Sequence, residues 1–190
     1  IPQLQLEKRH FRPEAPVVRR LLLLGSPMGL SNAIIAIGGM IVQSAVNPMG
    51  VAFIAGYTAT NKLYGLLEIA AVSYGFAVTT YTGQNYGAKE YGRIRSGTSW
   101  AVLLSVVTSA VIAAMMLIFG RDITMLFISA DSLELELAAG ETAYRYLCIM
   151  SSCLPVLYLL HAYRSALQGM GNVLIPMLSG GMELIMRVGF

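Results

Sequence analysis

Long apolar runs alternate with short polar segments along this chain. The run over residues 21–46 and the run over residues 100–119 contain no charged side chain at all. A helix needs about 20 predominantly apolar residues to cross the hydrocarbon core of a bilayer. Runs of this length and purity predict membrane-spanning helices rather than the core of a soluble domain.

Three further spans complete the pattern, each bounded by turn residues. The second span covers about residues 51–83, after an Asn-Pro-Met-Gly turn, and the fourth covers about residues 143–162 with a kink expected at Pro155. The fifth follows Asn172, a candidate N-cap, has Pro176 in its first turn, and is still apolar at Phe190. The fold class predicted is an all-α, polytopic transmembrane helical bundle of five spans, the last one truncated.

Composition supports the same class. Hydrophobic residues make up 56% of the 190 residues and charged residues 12%, against about 25% charged in a typical soluble domain. The mean hydropathy is +0.64. The net charge of +3 does not indicate nucleic-acid binding, because the basic residues flank apolar spans and form no patch with interleaved aromatics. The lipid bilayer is the expected partner, and the cell membrane the expected location.

The basic residues fall on one side of the predicted spans. Residues 1–20 read as an irregular basic linker, residues 89–95 as a basic loop, and Arg164 belongs to the same side. The opposite side carries the acidic segment of residues 122–136, where Asp131 is a candidate helix N-cap. By the positive-inside rule, residues 1–20 form a cytoplasmic linker and residues 21–190 an incomplete set of transmembrane helices.

The two cysteines are expected to be unpaired. Cys148 and Cys153 lie five positions apart in one predicted helix and point in different directions, which disfavours a disulfide. Neither has histidines at metal-ligand spacing, since His10 and His161 are remote in sequence. No metal, cofactor or catalytic residue is predicted, and the chain is not expected to be an enzyme.

The second span carries the candidate functional residues. Tyr57, Asn61, Tyr64 and Glu68 recur at three- and four-residue steps and continue through Val72, Gly75 and Thr79, so they share one helix face. A carboxylate inside the membrane is costly and is usually functional or paired. Glu68 either lines a transport cavity or is a structural acid paired with another helix, with Arg187 or Arg145 as the expected partner.

The two alternatives predict different chemistry at Glu68. Burial disfavours its charged form and would allow proton exchange, whereas a neighbouring cation would hold it as a fixed charge. Lys62, about 100° around the helix from Asn61, is expected to snorkel outward or to pair with an acid. Two further i,i+4 pairs, Glu141 with Arg145 and Glu183 with Arg187, are expected to be structural.

Several motifs, taken in order, resemble the multidrug and toxic compound extrusion (MATE) family of antiporters. The second span ends in Gly83-Gln84-x-x-Gly87-Ala88, followed by the basic loop. Pro27 lies early in the first span. The turn after the fourth span has the form Gly169-x-Gly171-x-x-x-x-Pro176, with Gln168 where the family often has arginine. The resemblance covers nearly the whole chain from about residue 21.

The resemblance implies a twelve-helix fold of two six-helix lobes around a central cavity. This chain would supply the first helices of the second lobe, and its partner would be the missing first lobe. Some family members carry a cation-binding glutamate eight residues after the proline of the first helix, where this chain has Ile35. A family proline in the second helix corresponds to Ala71. A cation site of that type is therefore in doubt in this lobe.

Three kinds of function are compatible with the sequence. The favoured function is secondary active export of amphipathic, often cationic, small molecules by antiport with H⁺ or Na⁺. A flippase for a lipid-linked saccharide is the alternative within transport, and a cavity rich in basic residues would favour it. A structural membrane subunit or an intramembrane enzyme is the third. A structural subunit would not need Asn61, Lys62 and Glu68 buried together, and an enzyme would need clustered carboxylates or paired histidines, which the spans lack.

Overall fold

The computed structural model describes residues 14–128 and 132–189, and all the regular secondary structure within them is helical. The fold class predicted from the sequence is confirmed. A single 3₁₀ turn, Asn47–Met49, separates the first two helices. The five helices are α1 Ala15–Val46, α2 Val51–Gly87, α3 Tyr91–Met125, α4 Leu133–Gly169 and α5 Leu174–Gly189.

The helices are longer than the predicted spans. Those from α1 to α4 contain 32, 37, 35 and 37 residues, and all four are long and apolar enough to cross a membrane. At 1.5 Å per residue the longest would extend about 56 Å, well beyond a hydrocarbon core of about 30 Å. Within the described residues α5 has only 16.

Part of the predicted basic linker is helical. The first helix begins at Ala15, with Pro16 in its first turn, a position where the missing N–H of proline is tolerated. The prediction of an irregular segment is therefore wrong for residues 15–20, and residues 1–13 lie outside the described part. Pro27 and Pro155 both lie inside continuous helices, α1 and α4.

The third helix has an inverted surface. Its small polar residues Ser105 and Ser109 are fully buried, while Leu103, Leu104 and Val107 are more than half exposed. Each serine hydroxyl donates to a carbonyl one turn earlier, at 2.9 Å and 2.8 Å, so neither is left unsatisfied. Small polar residues at helix contacts and leucines outside are the arrangement that lipid, rather than water, favours.

Helices α2 and α4 pack along their whole length as a parallel pair, which we call the α2–α4 seam. Near its beginning the Thr60 hydroxyl donates to the Ala143 carbonyl at 2.9 Å, and near its end Thr79 donates to Ser165 at 3.1 Å. A Cβ on Gly56 would meet the Ala139 carbonyl at 2.5 Å. Small residues thus allow the two backbones to approach closely.

Because α2 and α4 run parallel, the segments that follow these two helices lie at one end of the bundle and the segments that precede them lie at the other. We call the end with residues 88–90 and 170–173 the basic end, since Lys89, Arg93 and Arg95 lie near it. The other end, with residues 47–50 and 126–128, is the acidic end, near Glu134 and Glu136. The segregation of charge agrees with the predicted topology.

Helices α1 and α5 form a second parallel pair beside this bundle. A Cβ on Gly180 of α5 would lie 2.6 Å from the Ser31 hydroxyl of α1, and one on Gly38 would lie 3.1 Å from Leu184. Contacts between α5 and α4 are few, and they include the hydrogen bonds from Arg164 to Ser179. The described chain therefore consists of a three-helix bundle, α2–α3–α4, and an α1–α5 pair attached beside it.

The helix ends match their sequence signals in two of three cases. The Asn172 side chain accepts from the Ile175 N–H at 3.3 Å, and Gly171 has a φ of +81°. The second helix ends at Gly87, as predicted. The N-cap of α4 is Ser132, whose hydroxyl accepts from the Leu135 N–H at 3.3 Å. The predicted cap, Asp131, lies outside the described residues.

Candidate ion and substrate pathway

The polar face predicted on α2 lies beside the α2–α4 seam rather than inside it. The residues buried against α4 are mostly small or aliphatic, whereas Tyr57, Asn61, Tyr64 and Glu68 are all half-buried. Tyr57 stacks on Tyr146 of α4, with ring centroids 5.3 Å apart. We call these four residues the polar row. The structure keeps them on one face, as the periodicity predicted.

Glu68 contacts a histidine of α4. Its Oε1 lies 3.3 Å from Nε2 of His161, and the two side chains are 38% and 23% exposed. The expected partners are wrong: Arg145 pairs with Glu141 at 2.8 Å, and Arg187 pairs with Glu183 at 2.7 Å. Both of those i,i+4 pairs were predicted. The acid is therefore neither isolated nor held by an arginine in direct contact.

Sequence reasoning missed His161 as a member of the site. It lies 93 positions after Glu68, and only the parallel packing of α2 and α4 brings the two together. A signal was nevertheless present in the sequence. His161, Arg164 and Gln168 stand three and four residues apart in an otherwise apolar span, so they form a polar stripe on one face of α4.

Arg164 joins α4 to α5. Its guanidinium donates to the Ser179 hydroxyl from Nε at 3.1 Å and from Nη2 at 2.8 Å, and to Glu183 at 3.3 Å. Glu183 also accepts from Arg187 at 2.7 Å. The Arg164 side chain is only 14% exposed, so these partners offset the free-energy cost of burying its charge. The expected Glu183–Arg187 pair is thus part of a four-residue network that includes Arg164 and Ser179.

A cavity of about 270 Å³ lies where α1, α2, α4 and α5 meet. His161 and Arg164 line it from α4, Thr79 lines it from α2, and Asn32 lines it from α1. Ile35, at the position where the family resemblance implied a glutamate in some members, is also in its wall. The lining side chains that are charged or titratable, His161 and Arg164, therefore both come from α4, and α1 contributes neutral side chains.

Lys62 lies apart from the rest of the candidate site. It is exposed, and among the described residues it forms no ion pair with a carboxylate. This is the outward position expected for a lysine whose ammonium reaches the membrane surface. The structure therefore does not bring Lys62 together with Glu68.

The motif residues meet across the basic end of the seam. A Cβ on Gly83 would lie 3.1 Å from the carbonyl oxygen of Gly169, and one on Gly169 would strike the Thr82 hydroxyl. Gln84 accepts the N–H of Ala88 at its carbonyl, 3.1 Å away, which closes the last turn of α2. Two motifs that are 86 positions apart in the sequence thus form one contact.

The remaining motif positions have local roles. Pro176 is buried in the first turn of α5 and lines the cavity. Ala71, at the position of a family proline, is almost fully buried against Leu154 and Tyr158. The Tyr158 hydroxyl donates to the Leu67 carbonyl at 2.6 Å. This carbonyl is four residues before Ala71, so it is the one that a proline at position 71 would leave without its helical N–H.

Four long apolar helices with lipid-type packing define a multi-pass membrane protein in a bilayer environment. The model of the MatE family matches residues 27–190, which is most of the chain. The chain therefore belongs to the MATE family, as the motif resemblance predicted.

Named relatives agree with this assignment. The chain is 29% identical over 155 residues to the probable multidrug resistance protein YpnP of Bacillus subtilis, covering 82% of the chain and 34% of that protein. It is 26% identical over 122 residues to the probable multidrug resistance protein YoeA of the same organism, covering 64% and 26%. The multidrug resistance protein MdtK of Proteus mirabilis is 26% identical over 135 residues, covering 71% and 29%.

The chain thus spans about a quarter to a third of the length of these relatives. The transport activity, substrates and partner lobe concern the complete protein.

Proposed function

We propose that the complete protein is a secondary active transporter that exports amphipathic, cationic small molecules in exchange for H⁺ or Na⁺. The observation that carries the proposal is the polar row on α2. It places two tyrosines, an asparagine and a half-exposed carboxylate on one face of a helix in the middle of the apolar region. An acid at such a depth is costly unless it is used or paired.

The chemistry of the row fits a lipophilic cation. The stacked rings of Tyr57 and Tyr146 and the phenol of Tyr64 offer aromatic surface, and Glu68 offers the negative charge. Aromatic faces attract cations most strongly where water is excluded. The relatives are named as multidrug resistance proteins, and we propose the same function for the complete protein. This chain then forms part of its second lobe, at the plasma membrane.

A flippase for a lipid-linked saccharide is the second candidate. Two arginines, Arg164 and Arg187, lie near the cavity and would suit an anionic head group. However, both are bound to Glu183, which reduces the charge that they present to a ligand. Glu68 adds a further negative charge, so the balance favours a cation.

The test is dye accumulation in cells that express the complete protein. A lipophilic cationic dye should accumulate less than in control cells, and collapsing the ion gradients with ionophores should restore accumulation. Dye export by isolated vesicles that is driven by ATP in the absence of any ion gradient would contradict secondary transport.

A further inference from the structure

We propose that the groove between α3 and α4 at the basic end binds an anionic phospholipid, with its phosphate on Arg95 and an acyl chain against the apolar wall below. This surface is separate from the polar row, and the proposal does not depend on the transport function. It is carried by the shape of the groove, by the cations at its outer end, and by the backbone conformation of Lys89.

The groove has a volume of about 450 Å³ and is lined mostly by apolar side chains. Arg95 and Met170 lie at its outer end, close to the start of α3 and the end of α4. Val102 and Tyr163 each lie seven residues further into the bundle, which is about 10 Å at 1.5 Å per residue. A charged outer end above an apolar wall matches a phospholipid, whose phosphate lies above its acyl chains.

The cations at this end have no acidic partner within 4.0 Å in the described part of the chain. Arg95 is exposed and forms no ion pair there, and the same is true of Lys89 and Arg93. Glu90 is the one acid between residues 83 and 100, so this segment has an excess of positive charge. A guanidinium can bind a phosphate through two parallel hydrogen bonds. An anionic head group fits these cations better than a zwitterionic one, because it brings no positive charge of its own.

Lys89 has a backbone conformation that glycine usually adopts. Its φ is +60°, just beyond the last turn of α2. Its N–H donates to the Tyr86 carbonyl at 3.1 Å, and the Glu90 N–H donates to the Asn85 carbonyl at 2.9 Å, which is the pattern of a helix that ends on a left-handed residue. A Cβ disfavours this conformation. The lysine therefore stabilises the turn less than glycine would, and it adds a positive charge at the membrane surface.

Either a lipid or a further helix of the complete protein could fill the groove, and the charges favour the lipid. A helix in this place would cover Arg95 and would have to supply an acid to offset its charge. A lipid brings the negative charge with it, and the predicted topology places the basic end at the cytoplasmic leaflet, whose surface is negative. Tyr163, which is 52% exposed in the groove wall, is a residue type enriched where proteins meet the membrane surface.

Thermal unfolding of the complete protein in a neutral detergent measures the selectivity for the head group. Phosphatidylglycerol should raise the melting temperature more than phosphatidylcholine with the same acyl chains. Arg95→Gln should lose most of this difference, and Arg121→Gln, which changes an exposed arginine near the acidic end of the same helix, should keep it. Equal protection by the two lipids, or an undiminished difference in Arg95→Gln, would overturn the proposal.

Lys89→Gly separates the charge of this residue from its backbone conformation. Without lipid the variant should melt no lower than the wild type, because glycine readily adopts a φ of +60°. With phosphatidylglycerol its melting temperature should rise less than that of the wild type. An equal rise would overturn the assignment of Lys89 to the lipid site.

The occupant of the groove is identified by placing the photo-crosslinking residue p-benzoylphenylalanine at position 163 of the complete protein. In vesicles with equal amounts of phosphatidylglycerol and phosphatidylcholine, illumination should attach mainly phosphatidylglycerol, detected by mass spectrometry as an added lipid mass. Arg95→Gln should reduce that yield. A crosslink to another helix of the protein with none to lipid, or equal yields for the two lipids, would overturn the proposal.

Discussion

Gly83 of α2 faces Gly169 of α4 so closely that a Cβ on Gly83 would lie 3.1 Å from the carbonyl oxygen of Gly169. Each glycine belongs to a different sequence motif, and the contact between them closes the basic end of the seam. Two of the motifs that carry the family resemblance therefore meet in one packing contact. The polar row, which is the candidate transport site, lies further along the same helix pair.

The close approach at Gly169 predicts a large effect from a small substitution. In Gly169→Ala the new methyl group would meet the Thr82 hydroxyl and the Thr79 carbonyl, and overpacking of this kind costs about 1–3 kcal/mol. The matched control is Gly87→Ala, because a Cβ there meets nothing within 4 Å. Thermal unfolding in detergent should show a lower melting temperature for the first variant only. Equal melting temperatures would mean that the seam is looser than described.

Tyr158 predicts a second stability effect. Its buried hydroxyl donates to the Leu67 carbonyl at 2.6 Å, so Tyr158→Phe should cost about 1 kcal/mol. Tyr163→Phe is the control, because that side chain is half exposed on the same helix. Denaturation of the purified protein compares the two. A larger loss in Tyr163→Phe than in Tyr158→Phe would contradict the described contact.

The contact between Arg164 and Glu183 predicts an energetic coupling between α4 and α5. Arg164→Gln should destabilise the protein because it removes the positive partner of Glu183 and one link between the helices. Adding Glu183→Gln should restore part of the loss, and a double-mutant cycle measures that coupling. Additive losses in the cycle would show that the two side chains do not interact in the membrane-inserted protein.

The topology is tested by labelling engineered cysteines in a variant without Cys148 and Cys153. A cysteine at Gly92, at the start of α3, should react with a membrane-impermeant reagent from the cytoplasm. One at Leu133, which is exposed at the start of α4, should react from outside. Leu133 is preferred to Ser132 because the Ser132 side chain caps the helix. Labelling of both positions from the same side would refute the predicted orientation.

Much of the fold could be predicted from the sequence, since span number, turn positions and the shared face of the polar row depend on local periodicity. Helix lengths could not be, because helices such as α3 and α4 continue through charged segments beyond the hydrocarbon-length runs. Asp122 and Glu136 both lie inside helices that extend past the predicted spans. The hydropathy of the sequence indicates only the segment that crosses the hydrocarbon core of the bilayer. Backbone hydrogen bonding determines where the helix itself ends.

The candidate site could be predicted only in part. Glu68 and its row were visible because one helix carries them all. The partner of Glu68 was not predicted correctly. Arg145 and Arg187, the expected partners, each form an ion pair with a glutamate one turn away on their own helix. The polar stripe of α4 that contains His161 was visible in the sequence, but its contact with Glu68 depends on the parallel packing of α2 on α4. Contacts between distant helices depend on tertiary packing, which the periodicity of one helix does not encode.

The most direct test of the account is dye export by Glu68→Gln compared with Glu141→Gln in the complete protein. Glutamine has the shape of the protonated acid but cannot gain or lose a proton, so it separates charge from packing. Glu68→Gln should reach the membrane in normal amounts and export the cationic dye at a small fraction of the wild-type rate, while Glu141→Gln should be unaffected. Normal expression of Glu68→Gln with wild-type export at every pH would contradict the account, since Glu68 would then take no part in transport.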